Sequence, residues 1–266
     1  MSPIMHNAAF REQGLDYRYS LKPVVPGTLE DAINLLREPE VIGANVTIPY
    51  KSDVMEYLDE NTIEAENIGA VNTIVKKDGN LVGKNTDARG GVKALEEEYD
   101  GIELAEVTII GAGGASKALS YNLAPKVKKL TILNRTKTKS SGLARYLMEK
   151  TKNRNVYGGG LEELQKHLEG TDILINATPV GMEPRTDRSP IPAEYLHKNL
   201  LVYDLVYNPI ETKLLRDAKQ KGGRVLSGVK MLVYQGALAY EMWTGQKPPV
   251  DLMLKVVQEA LGGDTT

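Results

Sequence analysis

The spacing of apolar residues divides the chain into two regions. In the first region, short apolar segments separated by turn residues predict small strands and helices. We expect helices over 5–14, 28–36 and 89–99, a further helix from Ser52, strands over 17–22 and 44–48, and a hairpin over 70–84. Thr28 is the expected N-cap of the second helix, and Asp100-Gly101 is the expected domain border.

Beyond residue 101, apolar strands alternate regularly with helices. The predicted strands are 106–110, 129–133, a short one near Val156, 172–176, 200–206 and 224–226, and the helices between them are 115–124, 137–150, 161–167 and 211–221. This alternation predicts a parallel sheet with helices on both faces. The helices expected over 230–244 and 251–261 complete no further strand–helix–strand unit. We therefore predict an α/β protein of two domains, 1–101 with the returning segment 229–266, and 102–228.

A glycine-rich turn joins the first strand of the second domain to its helix. Apolar residues 107–110 run into Gly111-Ala-Gly-Gly-Ala-Ser116, and helical spacing follows, which is the context of a dinucleotide-binding fingerprint. Gly111 would allow the tight turn, and Gly113 would let the backbone approach a pyrophosphate. The free N–H groups at the start of the helix would hold the phosphates. A plain strand-to-helix turn is the alternative interpretation.

The residues after the second strand of this domain indicate which nucleotide it binds. A site for NAD places Asp or Glu there, about 20 residues after the glycines, to accept the ribose 2′-hydroxyl. This chain instead has Asn134-Arg135-Thr136-Lys137-Thr-Lys139, without a carboxylate. A guanidinium, a hydroxyl and ammonium groups suit a 2′-phosphate. We expect NADP, and the alternative is a solvated basic loop.

Composition excludes several classes of function. The 266 residues carry a formal net charge of −2 with no block of like charge, so we expect no nucleic-acid or membrane partner. The absence of cysteine excludes disulfides, thiolate zinc sites and a cysteine nucleophile. The three histidines show no ligand spacing, so no metal site is expected. No apolar run approaches the ~18 residues of a membrane span and no signal peptide opens the chain, so we expect a cytoplasmic protein.

Three polar stretches lie at predicted strand ends of the first domain, over 45–51, 70–73 and 83–87. Open α/β sheets place their ligands at such ends. Lys51 and Asp87 are the pair in these stretches that can exchange a proton and hold each other's charge, and a partly desolvated lysine can serve as a general acid or base. A surface salt bridge beside turn-forming Asn and Thr residues is an equally open interpretation.

At this point the motifs resemble one family, shikimate dehydrogenase, over essentially the whole chain and in the right order. The motifs that carry the resemblance are Ser-Pro-Ile-Met-His-Asn-Ala-Ala-Phe (2–10), Asn-Val-Thr-Ile-Pro-Tyr-Lys (45–51), Gly-Ala-Val-Asn-Thr (69–73), Asn-Thr-Asp (85–87), Gly-Ala-Gly-Gly-Ala (111–115), Asn-Arg-Thr (134–136), Asn-Ala-Thr-Pro-Val-Gly-Met (176–182), Asp-Leu-Val-Tyr-Asn-Pro (204–209) and Met-Leu-Val-Tyr-Gln-Gly-Ala (231–237). The resemblance implies a substrate-binding catalytic domain, a Rossmann-type NADP-binding domain, and reversible NADPH-dependent reduction of 3-dehydroshikimate to shikimate in aromatic amino-acid biosynthesis.

The resemblance also implies roles for particular residues. Lys51 and Asp87 would be the catalytic pair. Lys51 would protonate or stabilise the C3 oxygen of the substrate, and Asp87 would orient Lys51. The expected substrate-binding residues are Ser2, Thr47, Asn72, Tyr207 and Gln235. The expected cofactor-binding residues are Gly111, Gly113, Gly114, Ala115, Asn134, Arg135, Thr136, Lys139, Thr178, Val206, Gly228 and Met231. A small-molecule substrate, a cleft between domains, and a monomer or homodimer are the remaining expectations.

The chain departs from the family at its start. The family begins with a strand, a Gly-x-Pro turn and a first serine, two residues before the serine that corresponds to Ser2, whereas this sequence begins at Met1. The hypothesis that follows is that the natural polypeptide starts upstream. A form beginning at Met1 is expected to bind NADPH nearly normally and shikimate poorly.

Three alternatives remain at this stage. A quinate/shikimate dehydrogenase shares the fold and the catalytic pair, and a carboxylate after the second strand of the nucleotide domain would have favoured it. Another two-domain NADP protein, such as a methylene-tetrahydrofolate dehydrogenase, would need stacking aromatics, which the strand-end stretches lack. A non-catalytic NADP-sensing protein is the third, and the presence of both Lys51 and Asp87 argues against it.

Overall fold

A computed structural model describes residues 1–262, which form two compact units. The first comprises Met1–Asp87 and Val233–Val257, and the second comprises Ala88–Leu232 and the residues from Gln258 onward. The helices are α1 (Ser2–Glu12), α2 (Leu29–Asn34), α3 (Ile63–Ile68), α4 (Asp87–Glu96), α5 (Gly114–Leu123), α6 (Lys137–Thr151), α7 (Leu164–Leu168), α8 (Lys213–Gln220), α9 (Gly228–Thr244) and α10 (Val250–Ala260). The strands are β1 (Gly43–Asn45), β2 (Glu60–Asn61), β3 (Thr73–Lys77), β4 (Asn80–Lys84), β5 (Glu106–Ile110), β6 (Lys129–Asn134), β7 (Val156–Gly160), β8 (Ile173–Asn176), β9 (Leu201–Asp204) and β10 (Arg224–Ser227).

The unit boundaries fall at residues 87 and 232, at the first residue of α4 and inside α9, whereas the sequence predicted domain borders at 101 and 228. The predicted division into a substrate domain and a nucleotide domain concerns function and stays a prediction. Among the described residues, no helix is both long and apolar enough to cross a membrane.

The first unit contains a four-stranded sheet in the order β1-β3-β4-β2. The predicted hairpin is confirmed, since β3 pairs with β4 antiparallel from Thr73 opposite Lys84 to Lys77 opposite Asn80. Asp78 and Gly79 turn this hairpin, both with positive φ (51° and 85°), as a two-residue type I′ turn requires. A buried apolar cluster lies on this sheet, formed by Ile33, Val54, Ala65, Val71, Ile74 and Leu81.

The predicted strand over 17–22 is wrong. This segment runs as irregular chain and joins no sheet among the described residues. The backbone N–H and C=O of Tyr19 bond instead to the side-chain amide of Asn7 in α1, at 2.8 and 2.9 Å. A side chain thus satisfies the two backbone groups that a neighbouring strand would have paired. Thr28 precedes α2 as expected, but its hydroxyl donates to the Val25 carbonyl rather than accepting from the helix.

The second unit contains a six-stranded parallel sheet in the order β10-β9-β8-β5-β6-β7. The predicted strand–helix alternation is confirmed, with strand and helix ends shifted by a few residues. The central strands β5, β6 and β8 are buried almost throughout because helices cover both faces, which explains their continuous apolar runs. The chain proceeds outward from β5 in one direction and from β8 in the other. The carboxyl ends of β5 and β8 therefore form a topological switch point, where open α/β sheets bind ligands.

Candidate active site

Lys51 and Asp87 form an ion pair within the first unit. The Lys51 Nζ lies 2.6 Å from Asp87 Oδ2, and the two side chains are 30% and 19% exposed. Lys51 follows β1 in a turn, where its carbonyl accepts a 2.7 Å hydrogen bond from the Val71 N–H. Asp87 is the first residue of α4, directly after β4 and Asn85-Thr86. The pair is therefore partly desolvated and fixed through its backbone at two strand ends, and its catalytic role stays a prediction.

A buried amide and hydroxyl network lies next to this pair in sequence. Asn72 Oδ1 accepts hydrogen bonds from the Thr86 N–H (2.7 Å) and from the Thr73 hydroxyl (3.0 Å). Its Nδ2 donates to the Thr86 hydroxyl (3.0 Å) and to Gln235 Oε1 (3.3 Å). The structure thus joins Asn72 and Gln235, two predicted substrate ligands 163 residues apart. Thr86 received no binding or catalytic role from the sequence, yet it bonds to Asn72 and directly precedes Asp87.

The other predicted substrate ligands lie in different surroundings. Thr47 is exposed just after β1, where its carbonyl accepts a bond from the Tyr50 N–H. Ser2 is partly buried at the first position of α1. Tyr207 is 40% exposed in the loop after β9, in the second unit. Substrate contacts of all three residues stay predictions.

The glycine turn lies at the switch point of the second unit, between β5 and α5. Gly111 has φ of +112°, and a Cβ at this position would meet the Thr178 methyl at 3.0 Å and the Ala177 carbonyl at 3.1 Å. The Ser116 hydroxyl, buried one turn into α5, donates to the Gly111 carbonyl at 2.7 Å and closes the turn. Gly113 and Gly114 have open space where a Cβ would be, so ligand atoms can approach their backbone.

An open cavity of about 380 Å³ borders this turn. It is lined by Ala112, Gly113, Gly114, Lys117, Gly142, Leu143 and Tyr146. The Lys117 Nζ lies 4.9 Å from the Tyr146 ring centroid, and burial lowers the pKa of that lysine. Ala115 follows in the first turn of α5. Backbone N–H groups at a helix start beside a cation are suited to phosphate groups.

The basic segment after β6 is exposed, as a 2′-phosphate site requires. The Asn134 amide donates to the Thr136 carbonyl at 3.0 Å, and Thr136 is the N-cap residue of α6. The Lys137 Nζ forms a salt bridge with Glu163 Oε1 at 2.9 Å. Arg135 and Lys139 form no salt bridge to any residue of 1–262, so their charges remain available to an anion. The structure thus brings the predicted cationic groups together at the start of one helix.

A buried carboxylate that the sequence did not identify organises the loops after β8 and β9. Asp204 Oδ1 accepts from Asn176 Nδ2 (2.9 Å) and the Val206 N–H (3.0 Å), while Oδ2 accepts from the Thr212 hydroxyl (2.6 Å). Asn176 Oδ1 in turn accepts from the hydroxyl of Thr178 (2.7 Å). Burial raises the pKa of Asp204 to about 6, and the hydrogen bonds from its three donors oppose that rise. No role was assigned to Asp204 from the sequence, although this residue ends an apolar strand and opens the motif 204–209.

Asp204 thus holds Val206 directly and Thr178 through Asn176, and both are expected cofactor-binding residues. Gly228 lies against the same loop, since a Cβ there would collide with the carbonyl groups of Leu205 and Val206, the latter at 2.9 Å. Met231 packs one turn later in α9, with its sulfur 3.4 Å from the Cβ position of Gly91. In the part of the chain that the structure describes, no three acidic or histidine side chains cluster as metal ligands would.

Comparison with family models matches nearly the whole chain to one set of domains. The model described as the shikimate dehydrogenase substrate binding domain matches residues 1–74. The model described as shikimate / quinate 5-dehydrogenase matches residues 93–206, and the shikimate 5′-dehydrogenase C-terminal domain matches residues 228–258.

Curated relatives agree with these matches. A shikimate dehydrogenase (NADP(+)) of Methanothermobacter thermautotrophicus is 47% identical over 266 residues, covering 99% of this chain and 93% of the relative. Its counterpart in Methanocaldococcus jannaschii is 44% identical, covering 96% of this chain and 91% of the relative.

Solved structures share the fold at similar coverage. A shikimate dehydrogenase in complex with NADP+ superposes with a TM-score of 0.92 at 41% identity, covering 98% of this chain and 91% of that chain. The Thermus thermophilus enzyme in complex with NADP(H) and shikimate gives 0.86 at 35% identity, covering 97% and 94%. A quinate dehydrogenase from Corynebacterium glutamicum in complex with NAD gives 0.89 at 31% identity, covering 97% and 94%.

Proposed function

The chain belongs to the shikimate dehydrogenase family, and we propose that it catalyses the reversible NADPH-dependent reduction of 3-dehydroshikimate to shikimate. The observation that carries the proposal is the ion pair between Lys51 and Asp87, adjoining the buried network of Asn72, Thr86 and Gln235. This set combines a proton donor with amide and hydroxyl groups, which a small ring bearing several hydroxyls requires. An apolar pocket would not distinguish such a substrate from analogues that lack its hydroxyls, whereas buried polar groups reject analogues that leave them unpaired.

The chemistry requires one hydride and one proton at the C3 carbonyl of the substrate. NADPH, when bound, supplies the hydride to the carbonyl carbon. The Lys51 ammonium would stabilise negative charge on the C3 oxygen and donate the proton, which yields the C3 hydroxyl. The Asp87 carboxylate, 2.6 Å from Lys51 Nζ, would hold the ammonium in place. In the reverse direction Lys51 would accept the proton.

Residues of the second unit are proposed to hold NADP. The turn over Gly111–Ala115 would bind the diphosphate through backbone N–H groups at the start of α5. Arg135, Thr136 and Lys139 would bind the 2′-phosphate, which carries the charge that distinguishes NADP from NAD. The loops that Asp204 holds, with Thr178 and Val206, would border the nicotinamide, and Gly228 and Met231 would complete that border.

The experiment that tests this function is an absorbance assay of NADPH and NADH formation with shikimate and quinate, each with NADP and NAD. We expect the highest kcat/KM for shikimate with NADP. Preferential oxidation of quinate would replace the proposal by a quinate dehydrogenase, and tight NADPH binding without turnover of either acid would indicate an NADP-binding protein that is not an enzyme. The cytoplasmic location and the monomeric or homodimeric state expected from the sequence stay predictions.

A further inference from the structure

Tyr19 occupies an unusual position for a residue in a segment without regular structure. The Asn7 side chain bonds both the backbone N–H and the backbone C=O of Tyr19. The His6 ring stacks on the Tyr19 ring, with centroids 4.7 Å apart and planes 4° from parallel. His6 and Asn7 belong to the motif that begins at Ser2, yet neither received a role from the sequence. Together these two residues of α1 clamp Tyr19 through its backbone and its ring.

The Tyr19 hydroxyl reaches the first of the predicted polar stretches, 45–51. It donates to Asn45 Oδ1 at 3.0 Å. Asn45 is the last residue of β1, so this bond joins the segment that α1 holds to an end of the four-stranded sheet.

Asn45 connects Tyr19 to the buried network by hydrogen bonds. Its Nδ2 donates to the Asn72 carbonyl and to the Thr73 hydroxyl, both at 3.1 Å. Thr73 bonds in turn to Asn72 Oδ1 and lies 3.0 Å from the Thr86 hydroxyl, oxygen to oxygen. A continuous chain of hydrogen bonds thus runs from the Tyr19 hydroxyl through Asn45 to the network that includes Gln235 and ends at Thr86, beside Asp87. Among the hydrogen bonds described, only the one from Tyr19 is accepted by Asn45 Oδ1.

We propose that Tyr19, clamped by His6 and Asn7, is a positioning residue that orients Asn45 and, through it, the buried network around Asn72 for the substrate. This inference rests on the proposed function, because it assigns to Tyr19 the alignment of that same substrate site. Tyr19 acts through Asn45: without the phenol hydroxyl, the Asn45 amide loses the donor that sets its orientation. Substrate binding should suffer, whereas the ion pair of Lys51 and Asp87, held by other bonds, should persist.

The test is Tyr19→Phe, which removes only the hydroxyl and keeps the ring that stacks on His6. We expect the KM for shikimate to rise about 3- to 10-fold, which corresponds to the loss of one hydrogen bond, with kcat and the KM for NADP within about twofold of wild type. Tyr17→Phe is the matched control, since Tyr17 is 41% exposed two residues away and contacts Phe10 by its ring edge. It should leave all three constants unchanged.

A double variant separates positioning from a general loss of stability. If Tyr19 acts through Asn45, then Asn45→Ala with Tyr19→Phe should raise the KM by less than the product of the two single effects. If the wild-type protein is active, three results would overturn the inference alone. They are an unaltered KM in Tyr19→Phe, a lower melting temperature of Tyr19→Phe without a change in its KM, and a KM of the double variant that equals the product of the two single effects. A wild type that turns over no shikimate overturns both the inference and the proposed function.

Discussion

At the residue scale, the structure distinguishes charged groups that are already neutralised from those left for a ligand. Lys137 is paired with Glu163, and the same carboxylate receives hydrogen bonds from the Tyr157 hydroxyl and the Gly160 N–H. These hydrogen bonds hold the pKa of Glu163 low, at about 2. Arg135 and Lys139, in contrast, have no carboxylate partner within residues 1–262. Charge counting along the sequence could not make this distinction, because Glu163 is 26 residues from Lys137.

We expect Lys51→Ala to lower kcat for shikimate oxidation by about two to four orders of magnitude, as loss of a general acid and base does. The KM for NADP should barely change, since the predicted cofactor ligands lie in the second unit. Steady-state kinetics of NADPH formation measure both constants. Lys77→Ala, at an exposed end of β3, is the matched control and should behave as wild type. Near-full turnover in Lys51→Ala would remove this lysine from the mechanism.

Arg135→Asp should reverse the preference for NADP over NAD. The substitution replaces a free guanidinium by a carboxylate, which repels a 2′-phosphate and can accept a hydrogen bond from a ribose 2′-hydroxyl. The ratio of kcat/KM for NADP to that for NAD should fall by at least tenfold, about 1.4 kcal/mol. Arg154→Asp, in the loop before β7, changes the net charge equally and serves as the control. If wild-type protein already uses NAD as well as NADP, the 2′-phosphate assignment is wrong.

At the scale of elements, the strand–turn–helix unit of β5 and α5 shows where a local pattern was sufficient. The sequence predicted the strand, the turn and the helix within a residue, because apolar runs, glycines and helical spacing are all local signals. The same kind of signal failed at residues 17–22. Alternation over this segment resembled a strand, but a strand forms only where another strand supplies backbone partners, and here Asn7 supplies them instead.

Gly111→Ala tests the glycine turn as an element. At φ of +112°, with the Ala177 carbonyl 3.1 Å from the Cβ position, we expect a loss of about 1–3 kcal/mol in the free energy of unfolding. Gly142→Ala in the interior of α6 is the opposite case, with no atom within 4 Å of its Cβ position. It should stabilise by up to about 1 kcal/mol through helix propensity. Urea unfolding measures both, and an undiminished stability of Gly111→Ala would contradict the strained turn.

At the scale of the whole molecule, the two units contain buried ionisable groups that respond to pH in opposite directions. Burial lowers the pKa of His6, in the first unit, from 6.5 to about 4, and burial raises that of Asp204, in the second, from 3.8 to about 6. Between pH 6.5 and 4 the native state binds fewer protons at His6 than the unfolded state does, so stability falls as pH falls. Between pH 6 and 3.8 the native state binds more protons at Asp204 than the unfolded state does, so the contribution of Asp204 to stability rises as pH falls.

We therefore expect the first unit to lose up to about 3 kcal/mol of stability between pH 6.5 and 4 through His6. Trp243 is the only tryptophan and lies beside His6, with ring centroids 5.2 Å apart, so its fluorescence in urea reports this unit. His6→Phe, which keeps an aromatic ring in the cluster, should flatten the dependence on pH. His197→Phe in the second unit should not. A dependence that persists in His6→Phe would assign it to other groups.

The amino-acid sequence by itself determined the α/β class, the strand and helix order of the second unit, the glycine turn and the expectation of NADP as the cofactor. These properties depend on local spacing and on side-chain chemistry, which the order of residues contains directly. Only the tertiary structure decided that Asn72 meets Gln235, that Asn7 replaces a strand partner of Tyr19, and that Asp204 holds the loops after β8 and β9. Each of these depends on atoms brought within hydrogen-bonding distance by packing of distant segments, and hydrogen bonding depends on distance and angle rather than on sequence separation.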